Sequence, residues 1–165
     1  MKPPAELTEM FRARGLKVTP QRQCIFRVLH GTEAHPSAEA VYAAASAEMP
    51  TISLKTVYQT LNDLAGMGEI QQLDLGTGSS RFDPNVEAHH HLVCTGCGSV
   101  RDLYLSSRLR VPADQIGDFT VATTEVVFRG LCGACAARMA TTTPGIAPPS
   151  TTHIPSTHSR GEAHG

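Results

Sequence analysis

Apolar residues recur at helical spacing from residue 1 to about residue 68. The clearest case follows Ser53, where apolar positions are three and four residues apart, as on the buried face of an amphipathic helix: Leu54, Val57, Leu61 and Leu64. Thr19 and Ser37 precede two earlier helical stretches. Hydroxyl side chains favour a helix start because they cap free backbone N–H groups. We therefore predict helices that begin after Thr19, Ser37 and Ser53.

Extended segments dominate after residue 68. Two short runs, 69–75 and 79–83, are joined through Gly76-Thr77-Gly78 and predict a β-hairpin. Further strands are predicted over 90–94, 100–104 and 120–128, with one helical turn starting at Pro112 and a short helix over 135–139. The predicted fold is therefore α+β, with helices first and a small α/β domain after them.

Helices followed by a hairpin are typical of a winged helix, in which the second of the paired helices enters the major groove of DNA. We therefore predict a winged-helix DNA-binding domain over 1–84, a small α/β metal-binding domain over 85–140 and a disordered tail over 141–165. The tail is rich in threonine, proline, serine and glycine and has almost no large apolar side chains. For the first segment, a small helical bundle with a solvated polar face is the alternative.

The outward side of the helix after Ser53 carries polar residues suited to phosphate and base-edge contacts: Lys55, Thr56, Tyr58 and Gln59. Residues 12–27 also contain several basic side chains and no acidic ones. Arg14, Lys17 and Arg22 are the candidates there for DNA contacts. The net charge of -1 argues against strong nonspecific attraction to nucleic acid, and a solvated helix face explains the basic stretch equally well.

Four cysteines form two matching pairs, Cys94-Thr-Gly-Cys97 and Cys132-Gly-Ala-Cys135. Each Cys-x-x-Cys turn directs two thiolates at one point, so two turns complete the tetrahedral shell of a structural zinc ion. Two disulfides are the alternative, but such short loops closed on themselves are strained, and nothing else indicates an oxidising compartment. A thiol switch at Cys94 or Cys132 would instead release zinc on mild oxidation before DNA affinity falls.

A second metal site is indicated by His89, His90 and His91, which come just before the first cysteine pair. Alternation along a strand places His89 and His91 on one side and His90 on the other. Imidazoles and carboxylates together suit Fe(II), Mn(II), Co(II) or Zn(II). The candidate ligands are His35, Asp83, His89, His91 and Asp102. Surface carboxylates and a histidine at a helix start are the alternative for the members outside the histidine run.

No apolar run is long enough to cross a bilayer, and Met1-Lys2-Pro3-Pro4 lacks the apolar core of a signal peptide. We therefore expect a cytoplasmic protein with no membrane partner. A small metalloenzyme is disfavoured, because the residues offer no assignable general base or substrate pocket. We accordingly expect neither catalysis nor a small-molecule substrate.

Six motifs in unbroken order resemble the ferric uptake regulator family over about residues 5–139. They are Arg14-Gly-Leu-Lys-Val-Thr-Pro-Gln-Arg22, Ala34-His-Pro-Ser-Ala-Glu39, Ser53-Leu-Lys-Thr-Val-Tyr-Gln-Thr-Leu61, Ser80-Arg-Phe-Asp83, His89-His-His-Leu-Val-Cys94 and the closing Cys-x-x-Cys. The resemblance implies a homodimeric repressor of transcription, with an N-terminal winged helix, a C-terminal α/β dimerisation domain and a palindromic promoter operator.

Within this family, the carboxylate positions are similar to those of the peroxide-sensing branch. That branch holds a regulatory iron or manganese with three histidines and two aspartates, which correspond here to His35, Asp83, His89, His91 and Asp102. The resemblance implies that Fe(II) reduces hydrogen peroxide and that His35 or His89 is then oxidised, after which DNA is released. A sensor of iron, zinc or nickel supply is the alternative, since the ligand types overlap.

The chain departs from the family pattern at two places. Val121-Ala-Thr-Thr-Glu-Val126 contains no histidine in the strand before the last cysteine pair, so we do not expect a third metal site. The dimerisation helix is poorly indicated between Ser107 and Asp118. In either branch, one ion bound by residues of both domains is expected to fix the angle between them, so that two recognition helices of a dimer match successive major-groove faces.

Overall fold

The computed structural model describes residues 1–76, 78–106 and 111–142. Its N-terminal half contains four helices, α1 (Pro4–Ala13), α2 (Pro20–Leu29), α3 (Ala38–Glu48) and α4 (Leu54–Gly66). The three predicted helix starts are confirmed. The hydroxyl groups of Thr19, Ser37 and Ser53 accept hydrogen bonds from backbone N–H groups in the first turns of α2, α3 and α4.

The helices enclose one apolar core. Phe11 of α1 meets Phe26 of α2 edge to face, with ring centroids 4.9 Å apart. The apolar stripe of α4 faces the same core, and its positions Val57, Leu61 and Leu64 are fully buried. Each such side chain contributes about 1.5–3 kcal/mol by leaving water. Because burial fixes this face of α4 inward, the opposite face is presented to solvent.

The predicted hairpin follows the helices. Strand β1 (Gln71–Leu73) pairs antiparallel with β2 (Arg81–Asp83), and Gln71 lies opposite Asp83. The helices α2 to α4 followed by this hairpin form the expected winged helix, with α4 in the position of the recognition helix. The strands are shorter than the apolar runs that predicted them.

The second half is built on a three-stranded sheet in the order β4-β3-β5, with β3 (His90–Cys94) at its centre, β4 (Val100–Leu103) antiparallel to it and β5 (Val127–Gly130) parallel to it. The strand predicted over 120–128 is largely wrong, since the ladder of β5 begins only at Val127, opposite His91. Earlier residues extend past the end of β3, and an extended segment without a neighbouring strand forms no ladder.

Short helices complete this half. The helical turn predicted at Pro112 is present as α5 (Ala113–Ile116), and α6 (Gly133–Thr142) includes the predicted last helix and is longer than predicted. Because α6 continues to Thr142, the tail does not start at residue 141 as predicted. Residues 143–165, and the segment 107–110 within the weakly indicated dimerisation helix, lie outside the described residues.

The hairpin packs directly against the second half of the chain. Leu73 and Leu75 form a small apolar cluster with Val93, against which Val100 and Val127 also pack. Two arginines cross the same boundary. Arg129 donates a hydrogen bond to the Leu75 carbonyl at 3.1 Å, and Arg81 donates one to the Gly98 carbonyl at 3.4 Å. The hairpin is therefore in contact with both halves.

None of the helices in the described residues combines the length and the apolar character that a membrane span requires.

Candidate metal centres and nucleic-acid interface

The predicted histidine and aspartate ligands come from five separate places in the fold. His35 precedes α3, Asp83 ends β2, His89 precedes β3, His91 lies within β3 and Asp102 lies within β4. The structure brings one ligand atom from each to within 4.8 Å of all the others. Asp102 is partly buried and the other four residues are buried. Residues from both halves of the chain thus converge on one point.

Close distances between imidazole nitrogens and carboxylate oxygens define the centre of this cluster. The Nε2 atom of His35 lies 2.9 Å from Oδ1 of Asp102. The Nε2 atom of His89 lies 2.9 Å from Oδ2 of Asp83 and 3.0 Å from Nε2 of His91. As the alternation predicted, His90 faces the other way, and its Nδ1 atom accepts a hydrogen bond from the N–H of Val126.

The tautomers of two histidines direct their Nε2 lone pairs at the centre. Nδ1 of His89 lies 2.8 Å from the Glu87 carbonyl, and Nδ1 of His91 lies 3.2 Å from Oε1 of Glu125. Each oxygen is an acceptor, so in a neutral ring Nδ1 carries the proton and Nε2 is a free lone pair. Two lone pairs at 3.0 Å repel each other unless a cation or a proton lies between them.

Several buried atoms of the cluster have close neighbours but no hydrogen-bond geometry. They are Nε2 of His35, Oδ2 of Asp83 and Oδ1 of Asp102. A buried polar atom without a hydrogen bond costs about 1–3 kcal/mol, and three of them aimed at one point fit a shared cation. Nitrogen and oxygen donors in this number suit a divalent metal such as Fe(II), Mn(II) or Zn(II).

The charge state of Asp83 also fits a cation site. Burial raises the pKa of this carboxyl, but contact with His35, the N–H of Asn85 and the nearby His35 and His89 rings outweigh burial, so the pKa lies below its usual value. Asp83 is therefore ionised at neutral pH and available as a ligand.

The sequence analysis missed three side chains around this cluster. Glu125 contacts His91, whereas Asn85 and Tyr104 contact Asp102. Glu125 lies in the segment before β5, which was predicted to be part of a strand and to lack a histidine ligand. No pattern in the sequence marks Asn85 or Tyr104, because their contacts depend on how the segment after β2 lies against β4.

The four predicted cysteine ligands form the second cluster, with their sulfurs within 4.8 Å of one another. All are free thiols, so the disulfide alternative is not what the structure contains. Sγ of Cys97 lies 3.9 Å from Sγ of Cys132. The first Cys-x-x-Cys turn requires glycine at position 96, because a Cβ atom on Gly96 would lie 3.0 Å from both Cβ and Sγ of Cys135. Four convergent thiolates can hold zinc.

The thiols of this cluster differ in acidity. The backbone N–H groups of Cys132 and Cys97 lower the pKa of Cys94 to about 6, and the N–H of Cys132 lies 3.2 Å from its sulfur. Burial and the hydrogen bonds of the other thiols raise the pKa of Cys135 to about 12. Cys94 therefore carries a thiolate more readily than Cys135 at neutral pH, and metal binding requires the thiolate form.

The described residues contain these two groupings of metal-ligating side chains and no third one.

The candidate DNA-binding residues lie mainly on exposed surface. On α4, Lys55, Tyr58 and Gln59 are exposed and Thr56 is half-buried; of the earlier residues, Arg14 and Lys17 are exposed. Arg22 is placed differently. Its guanidinium pairs with Asp63 at 2.7 Å and lies over the Phe11 ring at 5.0 Å, so in this structure it packs α2 against α4 and α1.

The Tyr58 hydroxyl on α4 donates a 2.6 Å hydrogen bond to Glu39 of α3. This contact, followed by burial, raises the pKa of Tyr58, and it lowers the pKa of Glu39. The tyrosine thus remains a neutral donor, and its ring is held against the start of α3.

Known proteins resemble this chain over most of its length. The model of the ferric uptake regulator family matches residues 13–128. The peroxide-responsive repressor PerR of Staphylococcus epidermidis is 36% identical over 126 residues, which are 75% of this chain and 84% of the relative. A relative of the same name from Staphylococcus aureus is 35% identical over 75% of this chain and 85% of its own length.

Solved structures resemble the fold as well. A zinc-bound manganese uptake regulator superposes with a TM-score of 0.59 at 27% identity, over 79% of this chain and 99% of that one. The ferric uptake regulator Fur of Helicobacter pylori superposes with a TM-score of 0.65 over 80% of this chain and 90% of that one, and at 20% identity it shows the fold alone. The chain therefore belongs to the ferric uptake regulator family of metal-responsive regulators.

Proposed function

We propose that this protein is a metal-dependent repressor of transcription that binds promoter DNA as a homodimer and is released by hydrogen peroxide, when iron bound by the histidine and aspartate cluster oxidises a ligand histidine. One observation carries the proposal. His35, which belongs to the helical half, lies 2.9 Å from Asp102 of the C-terminal sheet, among ligand atoms suited to one cation.

The cluster can couple metal binding to the orientation of α4. His35 is joined to α3 through a two-residue link, and α3 packs against α4 in the helical core. With a cation bound, the imidazole of His35 and the carboxylate of Asp102 stay together, which restricts the angle between the two halves. With none bound, their mutual contacts hold the halves less firmly, and the population shifts away from the DNA-binding arrangement.

The DNA partner is double-stranded promoter DNA with a palindromic operator. Lys55, Tyr58 and Gln59 lie on the exposed side of α4, as a recognition helix requires. A symmetric dimer presents two such helices, and half-sites about 34–36 Å apart would receive them. Arg14 and Lys17 would contact phosphates at the flank, whereas Arg22 would support the helices from within.

A homodimer is supported by the outer face of the C-terminal sheet. Leu92 and Phe128 on adjacent strands, and Leu131 beyond β5, leave more than two fifths of their surfaces exposed. The strand β5 lies at the edge of its sheet within the described residues. An exposed apolar face next to an open edge is the kind of surface that a second copy of a chain covers.

The two metal clusters have separate roles in this proposal. The four cysteines hold a structural zinc, whose binding free energy stabilises the C-terminal half. His35, Asp83, His89, His91 and Asp102 hold a regulatory Fe(II) or Mn(II). The protein is not an enzyme, because the cluster serves to change DNA affinity, and it acts in the cytoplasm where the DNA is.

Fe(II) bound there would supply the electron that cleaves the O–O bond of peroxide. In the overall balance one peroxide converts one imidazole to its oxo form and becomes one water, so the histidine gains one oxygen atom. His35 and His89 are the proposed targets, as the resemblance to the peroxide-sensing branch implies. An oxo-imidazole is a poorer ligand, so the link between the halves is lost. Manganese does not readily support this reaction, and the Mn(II) form is expected to repress without sensing peroxide.

The test is a DNA-binding titration of the zinc-containing protein with Fe(II), Mn(II), Zn(II) and Ni(II), each repeated after peroxide. We expect operator binding with Fe(II) and with Mn(II), and loss of binding after peroxide in the Fe(II) form only. Mass spectrometry should then find an added oxygen on the peptides containing His35 or His89. Iron-loaded protein that leaves DNA without this oxidation would contradict the proposal.

A regulator of metal uptake is the second candidate, supported by the similarity to the zinc-bound manganese uptake regulator at 27% identity. The same titration separates the two. An uptake regulator would bind DNA in response to one metal over a narrow concentration range, and peroxide would leave that response unchanged. A metalloenzyme would ignore operator DNA with or without metal.

A further inference from the structure

The segment between Asp83 and His89 places one amide side chain against both carboxylates of the cluster. Asn85 donates its backbone N–H to Oδ1 of Asp83 at 2.8 Å. Its side-chain Nδ2 donates to Oδ2 of Asp102 at 2.7 Å. Asn85 thereby contacts two candidate ligands that belong to different halves of the chain.

The orientation of the Asn85 amide is fixed by a third contact. Its Oδ1 accepts a hydrogen bond from the N–H of Glu87 at 3.1 Å. An N–H can only donate, so the carbonyl end of the amide must face Glu87 and the NH₂ end must face Asp102. The backbone of Asn85 is also held, because its carbonyl accepts from Nε2 of Gln71 at 3.0 Å.

These contacts divide the oxygens of each carboxylate into two kinds. Oδ1 of Asp83 and Oδ2 of Asp102 are occupied by Asn85, and the Tyr104 hydroxyl lies 3.4 Å from the latter. The two remaining oxygens are buried and lack hydrogen bonds. They face the imidazoles, with Oδ2 of Asp83 at 2.9 Å from His89 and Oδ1 of Asp102 at 2.9 Å from His35.

We propose that Asn85 is a positioning residue that makes both aspartates one-oxygen ligands, and so sets the number of donor atoms that the cluster offers to its metal. This inference rests on the proposed function of the cluster as a regulatory metal site. With Asn85 in place, three imidazoles and two carboxylates supply five donor atoms. Without its side chain, Oδ2 of Asp102 keeps only the 3.4 Å contact with the Tyr104 hydroxyl and can turn to the metal as well.

The number of donors matters for metal choice. Mn(II) and Fe(II) accept five or six donors of mixed type, whereas Zn(II) prefers four. A five-donor cluster also leaves one position of a six-donor shell for a small molecule such as peroxide. An aspartate that chelates through both oxygens would fill that position, so the side chain of Asn85 would favour peroxide access as well as fixing Asp102.

The test uses the full chain with zinc in its cysteine cluster and compares the wild type with Asn85→Ala and Asn85→Gln. The alanine variant keeps both backbone contacts of residue 85 and removes only the amide. We expect its Mn(II) affinity to fall by about 10- to 100-fold, as is typical when a residue supporting a metal ligand is removed. With Co(II) as probe, the visible ligand-field bands should weaken, because six-donor Co(II) absorbs less than five-donor Co(II).

Asn85→Gln retains a donor and should recover part of the Mn(II) affinity and of the Co(II) spectrum. Asn62→Ala is the matched control, since it removes the same amide from an exposed position on α4 outside the cluster, and it should leave the Co(II) spectrum unchanged. Zinc content and circular dichroism establish that each variant is folded. An Asn85→Ala protein with wild-type Mn(II) affinity and an unchanged Co(II) spectrum overturns the inference. Wild-type protein that binds neither Mn(II) nor Co(II) would instead overturn the proposed function.

Discussion

The Nε2 atom of His35 lies 2.9 Å from Oδ1 of Asp102, although the two residues belong to opposite halves of the chain. One is fixed by the start of α3 and the other by the ladder between β3 and β4. In the proposed function, a cation shared by this pair and its neighbours would join the helical half to the C-terminal sheet.

Replacing a cluster histidine should abolish the metal response, whereas replacing its neighbour should not. We expect His35→Ala to weaken Mn(II) binding by more than about 100-fold, because losing a ligand costs more than losing a supporting residue. Metal-dependent operator binding should be lost with it. His90→Ala is the matched control, since His90 faces away from the cluster and should retain both properties. The measurements are Mn(II) titration and DNA binding by fluorescence anisotropy.

Replacing a cysteine of the zinc cluster should remove zinc, whereas replacing the remaining cysteine should not. Cys97→Ala should lower the zinc content from about one ion per chain towards none, since three thiols leave the tetrahedral shell incomplete. Cys24→Ala should retain zinc, because Cys24 is buried in the helical core. Elemental analysis of the purified variants checks both expectations. Zinc retained in Cys97→Ala would show that the metal is held elsewhere.

A cation on the exposed face of α4 should account for part of the DNA affinity. Lys55→Ala is expected to weaken operator binding and to reduce the slope of log K against log salt by about 1. Arg27→Ala removes the same charge from α2, where Arg27 already pairs with Glu48, and should leave the slope nearly unchanged. Equal slopes for wild type and Lys55→Ala would exclude α4 as the phosphate-contacting helix.

The ion pair between Lys2 and Glu69 should stabilise the fold in a pH-dependent way. Glu69 is buried, and it accepts hydrogen bonds from both the backbone N–H and the Nζ of Lys2. Burial raises the pKa of Glu69, but these contacts outweigh it, so the pKa lies below its usual value. A lowered pKa adds stability that is complete above the unfolded value, about 4.3, and disappears as the pH falls through the folded value.

Lys2→Ala should therefore lower the free energy of unfolding by about 1–3 kcal/mol at pH 7, and by progressively less as the pH falls through the lowered pKa of Glu69. Arg12→Ala breaks the exposed pair with Glu9 and should change stability by no more than about 1 kcal/mol at either pH. Denaturant unfolding followed by circular dichroism, with wild type measured at the same pH, provides the comparison. A loss in Lys2→Ala that does not depend on pH would contradict the assignment of Glu69.

The sequence by itself determined the local structure of the helical half, and it named the members of both candidate metal clusters. Caps at Thr19, Ser37 and Ser53 act within one turn, and the apolar period of α4 needs no distant partner, so both were readable from spacing. The alternation of His89 and His91 likewise follows from the geometry of a single strand.

The tertiary structure alone decided the features that depend on contacts between distant segments of the chain. The strand predicted over 120–128 is present only as β5, because its ladder with β3 begins at Val127. Arg22 points inward, because its guanidinium pairs with Asp63 and lies over the Phe11 ring. The role of Asn85 emerged only when β4 was brought against the segment after β2. The spacing of residues along the chain predicts contacts within one helix or strand. Hydrogen bonds between distant segments are fixed only when the core is packed.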